Sequence, residues 1–240
     1  MANDTQASDR RPQQRGIDTR RELLDAALRE FAAVGFEAAS TRSIAARARV
    51  RQGQLTYHFE TKDALWRATV DHLFERFDTE FTTASETEHA SDDGDAVARF
   101  TVGVRALVRA VSRLPELNRI MVHESTIDSE RLAWLVDRHV RARFEQLSEL
   151  WRQVQGGGHT HLGADPVVIY YCLLGAASLL YVNAPEAAHL LGVTDAAAVT
   201  DSLVDAHAET IVAMLLGPRP DWKSSPSSTA RNGSMRRRRA

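Results

Sequence analysis

A chain of 240 residues is long enough for one large helical domain or two small ones. Hydrophobic residues at 43%, charged residues at 26%, and only 13 Gly and 7 Pro exclude a fibrous or wholly disordered protein. The net charge of −2 is unevenly spread: residues 1–62 hold 11 Lys/Arg against 8 Asp/Glu, residues 63–217 hold 12 against 23, and residues 218–240 hold 7 against 1. A modestly basic head on an acidic body fits a polyanion-binding module joined to a part that does not bind polyanions.

The lone cysteine, Cys172, sits in the apolar run Tyr-Tyr-Cys-Leu-Leu and reads as a small core residue in a reducing compartment; by itself it makes neither an internal disulfide nor a cysteine zinc site. The first residues lack the apolar stretch of a signal peptide. The longest apolar run, 167–182, is shorter than the ~20 residues that span a bilayer. These features predict a cytoplasmic protein.

Residues 1–16 lack periodicity and read as a flexible arm. Thr19 and Glu22 then fit a capping box, and Leu24, Ala27, Leu28, Phe31 and Val34 follow at helical spacing up to a stop at Gly35. Ser40 or Thr41 caps a short second helix that turns Ile44 and Ala45 inward. A third short helix lies within Arg51 to Phe59, and Thr61 with Asp63 opens a fourth, which runs to about Thr83 through Leu65, Val70, Leu73, Phe74 and Phe77. Residues 84–94 read as a polar loop. Helical blocks follow at 95–114, from Pro115 to about Ile127, and from Ser129 to about Gln155. Asp165-Pro166 marks an N-cap with proline at the first helical position. The next helix, 167–182, is apolar on every side and so must be covered on every side. A last helix spans about 195–216, and the Ser- and Arg-rich segment from Pro218 reads as a disordered basic tail. No strand-like alternation appears, which predicts an all-α fold.

Two short helices joined by a tight turn have the form of a helix-turn-helix. Projecting the third helix at about 100° per residue with Leu55 inward brings Phe59 and Gln52 near that same side and places Gly53 and Tyr57 outward, flanked by Gln54 and Thr56. Glutamine can pair with adenine, a threonine methyl can meet a thymine methyl, and the missing Cβ at Gly53 permits close approach to a base. Tyr57, His58, Lys62 and the Thr41 hydroxyl can hold phosphates, as can the flanking Arg42 and Arg51. On the residues alone, a solvated short helix between two packed ones remains the competing reading.

Residues 17–80 resemble the DNA-binding domain of the TetR family of bacterial regulators. The resemblance rests on LLDAALREFAAVGFEAASTRSIAARA and VRQGQLTYHFETKDAL. Within them stand a Gly-aromatic corner (Gly35-Phe36), Thr41 opening the second helix, Ile44-Ala45, and a closing Tyr57-His58-Phe59 with Lys62. It implies that Gln52, Gly53 and Gln54 meet bases, while Thr41, Tyr57, His58 and Lys62 meet phosphate. Arg49 stands where the family usually has a turn glycine, and Thr56 where many members have a tyrosine.

The resemblance also implies the rest. Residues 17–62 form the DNA-binding domain, and residues 63–217 form a helical effector-binding and dimerisation domain whose last two helices pair with those of a second copy. The partners are then a palindromic double-stranded operator and a small, mainly apolar effector, with no membrane. The expected function is a ligand-released repressor, with an effector-free architectural DNA-binder and an all-α enzyme as alternatives. No nucleophile elbow, phosphate-binding glycine loop or HExxH motif supports an enzyme. The candidate effector contacts are Met121, His123, Glu124, Trp134, Phe144, Trp151 and Tyr171, each of which also reads as plain core. No cofactor or metal is expected; His159 and His161, two apart on a glycine-rich loop, make a poor metal site.

Overall fold

The computed structural model describes residues 5–87, 95–193 and 199–217, with side chains from residue 16 onward, and every regular element among them is helical. The tail 218–240 and most of the polar loop lie outside the described residues.

Helix α1 (Thr5–Ala38) already begins in the segment that reads as a flexible arm, so Thr19 caps nothing. Packing of Leu23, Leu24, Ala27, Leu28 and Phe31 stabilises the helix, and extending a formed helix costs little compared with starting one. Gly35 does break it, at φ 74° and ψ 174°, a conformation that glycine adopts without a Cβ clash. Ser40 caps α2 (Thr41–Arg47), its hydroxyl accepting from the Arg42 N–H at 3.2 Å. The turn into α3 (Gln52–His58) places Arg49 at φ 58°, the only non-glycine residue with positive φ among those described. A left-handed arginine costs on the order of 1–2 kcal/mol relative to glycine.

Helix α4 (Lys62–Thr87) starts as expected, with the Ala64 N–H donating to Thr61 Oγ1 at 3.0 Å. It runs past Thr83, so residues 84–87 are helix and not loop. It also crosses the expected boundary at 62/63. Its Leu65, Trp66, Val70, Leu73 and Phe74 share one apolar cluster with the head's Leu28, Phe31 and Leu55 and with the body's Ile120 and Leu135. Head and body therefore share a core.

The body is built round α5 (Ala96–Arg113), capped by Asp95, followed by α6 (Pro115–Ser125). The long helix expected from Ser129 is interrupted: α7 (Glu130–Leu135) passes through a π-helical turn, Val136–Val140, into α8 (Arg141–Gly156). A π turn accommodates an extra residue. In this turn His139 lies 9% exposed, stacked on Phe74 at 4.3 Å with its Nε2 2.9 Å from Asp71 Oδ1. Helices α9 (Pro166–Val182) and α11 (Asp201–Leu216) pack on α5 and α8 through Trp151, Ile169, Leu173, Val204, Ala208 and Ile211. The Asp165 carboxylate caps α9 as predicted. Thr200, not a residue near 195, caps α11. An unpredicted short helix, α10 (Ala184–Leu191), follows α9 and ends at left-handed Gly192.

Candidate nucleic-acid interface

Helix α3 is anchored by Leu55 and Phe59, at 2% and 5% exposure, and presents Gly53, Gln54, Thr56 and Tyr57 to solvent. Tyr57 is 85% exposed, a position an aromatic ring leaves readily when its only function is packing. No carboxylate stands on this helix, so nothing on its face repels a phosphate backbone. Nothing lies within 4 Å of where a Cβ on Gly53 would stand, so no neighbour within the chain requires glycine there.

The two glutamines are tied into the turn, and Gln52 is exposed rather than turned inward beside Leu55, its amide bonded to the start of α2. Gln52 donates from Nε2 to Thr41 Oγ1 at 3.2 Å, joining the N-termini of α2 and α3. Gln54 Oε1 accepts from the Arg51 N–H at 3.1 Å, closing the start of α3 as a cap. Each amide keeps half its hydrogen-bonding capacity outward: the oxygen of Gln52 and the amino protons of Gln54. Thr56 is exposed and donates from its hydroxyl to the Gln52 carbonyl at 3.2 Å. Arg42 and Arg51 are exposed, His58 is half-buried edge-on to Tyr57 at 5.4 Å, and Arg20 from α1 covers the Phe59 ring at 5.3 Å. Lys62 is half-buried, donating from Nζ to the Glu37 carbonyl at 3.1 Å.

The candidate effector residues do not share one place. Met121, His123, Glu124 and Trp134 lie at the junction of body and head: Trp134 meets Trp66 at 5.7 Å, and Glu124 accepts from Arg131 Nε at 3.2 Å. Trp151 is fully buried in the body core, its ring tilted against Phe100 at 5.4 Å and its Nε1 donating to the Ala164 carbonyl at 3.0 Å. Phe144 packs edge-on against Tyr170 at 5.3 Å, and Tyr171 is 69% exposed on α9. A groove of about 370 Å³ opens instead between α1 and α4, beside Ile17, Arg20, Arg21 and His72, and none of the candidates lines it.

The second exposed face is apolar. Val168, Tyr171 and Leu179 of α9 and Met214 of α11 are 49%, 69%, 56% and 62% exposed. Cys172 lies exposed on the same helix, not in the core where its apolar neighbours predict it. The apolar cover that the α9 sequence demands is therefore incomplete within one chain.

Residues 23–69 match the family profile described as bacterial regulatory proteins, tetR family. The A-factor receptor protein of Streptomyces griseus is 31% identical over 102 residues, a match that spans 42% of this chain and 36% of that protein. This chain thus aligns with well under two thirds of that curated relative's length. Among solved structures, the crystal structure of AibR in complex with isovaleryl coenzyme A and operator DNA superimposes with a TM-score of 0.63 at 23% identity, covering 83% of this chain and 99% of that one. The fatty acid degradation regulator FadR from Bacillus halodurans superimposes with a TM-score of 0.57 at 15% identity, covering 84% and 96%. At these identities the two superpositions establish the fold. With the helix-turn-helix in place, it is this head segment, residues 23–69, that is similar to the tetR family of bacterial regulatory proteins.

Proposed function

We propose that the protein is a dimeric DNA-binding transcriptional regulator of the cytoplasm, a repressor released by a small effector. The observation that carries the DNA-binding half is the exposed, carboxylate-free face of α3, with Gly53, Gln54, Thr56 and Tyr57 outward on a helix that Leu55 and Phe59 anchor. In this reading the outward amide groups of Gln52 and Gln54 read base edges, and Thr41, Arg42, Arg51, Tyr57, His58 and Lys62 hold phosphates.

Dimerisation through α9 and α11 is supported by the uncovered apolar face with Val168, Tyr171 and Leu179. A second copy there removes that face from water and presents two α3 helices, which a palindrome with half-sites about 34–36 Å apart requires. The effector half draws on similar proteins: AibR is solved with isovaleryl coenzyme A and operator DNA, and the S. griseus relative is an A-factor receptor. An effector shifts α4 only by binding one of its positions more tightly than another. The scatter of the candidate effector residues favours one second reading, a DNA-binding regulator without a small-molecule effector.

The test is a salt titration of binding to a duplex selected from a random library, beside an unrelated duplex of equal length. Specific binding that weakens on a log–log slope of about −0.9 per neutralised phosphate supports the regulator. Equal affinity for both duplexes would leave only an architectural role.

A further inference from the structure

The corner between α1 and α2 is gripped from the body. Arg131, on α7, holds its guanidinium 3.8 Å from the centre of the Phe36 ring and 6.0 Å from that of Trp66. The same group donates from Nε to Glu124 Oε2 and from Nη2 to Glu37 Oε1, both at 3.2 Å. Glu124 is only 4% exposed, so its carboxylate depends on that guanidinium for neutralisation. His123, its neighbour on α6, closes over Gly35: a Cβ on that glycine would stand 3.2 Å from the imidazole Nδ1. From the head side, Lys62 places its ammonium 4.6 Å from the centre of the same Phe36 ring and donates to the Glu37 carbonyl at 3.1 Å. Arg131 and Lys62 therefore meet at one ring and one residue, one cation from each half of the protein.

We propose that Arg131 is a positioning residue for DNA binding: by clamping Phe36 and Glu37 it holds the corner that fixes the Lys62 ammonium at the first turn of α4. The inference rests on the DNA-binding reading above and adds to it the route by which the body acts on the head. One of the three Lys62 protons is committed to the Glu37 carbonyl; the others are available to a phosphate oxygen. The planar guanidinium covers the ring and reaches both carboxylates at once, which an ammonium at position 131 does not reproduce. Movement of α6 and α7 that withdraws Arg131 loosens the corner, and Lys62 with it, whether or not α4 tilts.

The experiment measures full-length chain on its selected duplex by fluorescence anisotropy across a potassium chloride series. Arg131→Met is combined with Glu124→Gln so that no buried carboxylate is stranded, and this pair is compared with Lys62→Ala and with all three changes together. The Arg131 pair should weaken binding about tenfold and reduce the log–log salt slope by about 0.9, although Arg131 touches no phosphate itself. Lys62→Ala should do the same, and adding it to the Arg131 pair should change nothing further. Additive losses, or an unchanged slope, would assign Arg131 to general stability and overturn the clamp. If the paired variant does not fold, Arg131→Lys carries the same comparison, since it keeps the charge beside Glu124 and loses the flat stack. Failure of the unaltered chain to bind any duplex would defeat the DNA-binding reading itself, and the clamp with it.

Discussion

Helices α3 and α9 each expose a face that a folded chain has reason to cover, and they do so with opposite chemistry. On α3 the outward residues are polar and short-range: Gly53, Gln54, Thr56 and Tyr57 stand on a seven-residue helix whose position Leu55 and Phe59 determine. On α9 they are apolar, with Tyr171 and Leu179 more than half exposed over a buried row of Ile169, Leu173 and Ala177. A polar face without carboxylates suits a hydrated polyanion, whereas an apolar one suits a second protein surface. The contrast teaches that a helix which departs from ordinary amphipathicity names the chemistry of its partner through the residues it leaves outside.

The comparison breaks most severely if the shared scaffold fails. Trp151→Ala, which removes a fully buried ring and its hydrogen bond to the Ala164 carbonyl, should cost about 3–5 kcal/mol in chemical denaturation. A loss below about 1 kcal/mol would mean the body core is looser than its packing indicates. Leu179→Glu tests the α9 face alone. Sedimentation should show monomer in place of dimer, while the stability of the single chain changes by no more than about 0.5 kcal/mol, because Leu179 is 56% exposed. A dimer that survives the charge would move the interface elsewhere.

Tyr57→Ala asks the matching question of α3. Operator affinity should fall about tenfold with the melting temperature nearly unchanged, since an 85% exposed ring contributes little to folding. A drop in melting temperature with affinity intact would reverse the reading of that residue. Arg49→Gly should raise stability by on the order of 1 kcal/mol through relief of its positive φ, offset in part by the greater freedom of glycine in the unfolded chain.

The smallest effect is one of pH. Burial holds the His139 imidazole below its ordinary pKa, against the opposing pull of Asp71, with Arg143 and Arg138 adding to the lowering. Burial lowers His207 as well, beside the Tyr181 hydroxyl at 2.9 Å, whose own pKa is pushed up to about 12. At any pH in the range where they titrate, both imidazoles hold less positive charge in the folded chain than in the unfolded one. As pH falls below about 6.5 the unfolded chain takes up protons first, so stability declines through that window. His139→Gln should flatten the decline, measured as melting temperature between pH 7 and 5. An equally steep decline would locate the titration elsewhere.

How legible the protein was differs between its halves. In the head, the turn at Gly35, the Ser40 cap, the inward Ile44, Leu55 and Phe59 and the outward Tyr57 follow from local spacing and capping chemistry. In the body, the helix starts at Asp95 and Ser129 and the cap at Asp165 were equally readable. The π turn at Val136–Val140 was not: it holds His139 against Phe74, a contact with a residue far away in the chain that no local pattern reports. Cys172 was misplaced for a related reason: an apolar run reports that cover is needed, not that the same chain supplies it.

By itself, then, the sequence determined the all-helical class, most helix limits and the polar face of α3, because propensity, capping and 3.6-residue periodicity act within a few residues. Only the tertiary structure decided that α4 joins head and body in one core, that the candidate effector residues fall in separate places, and that Arg131 reaches Phe36 and Glu37. Those contacts join residues tens of positions apart, and their geometry follows from how helices pack, which no local pattern specifies.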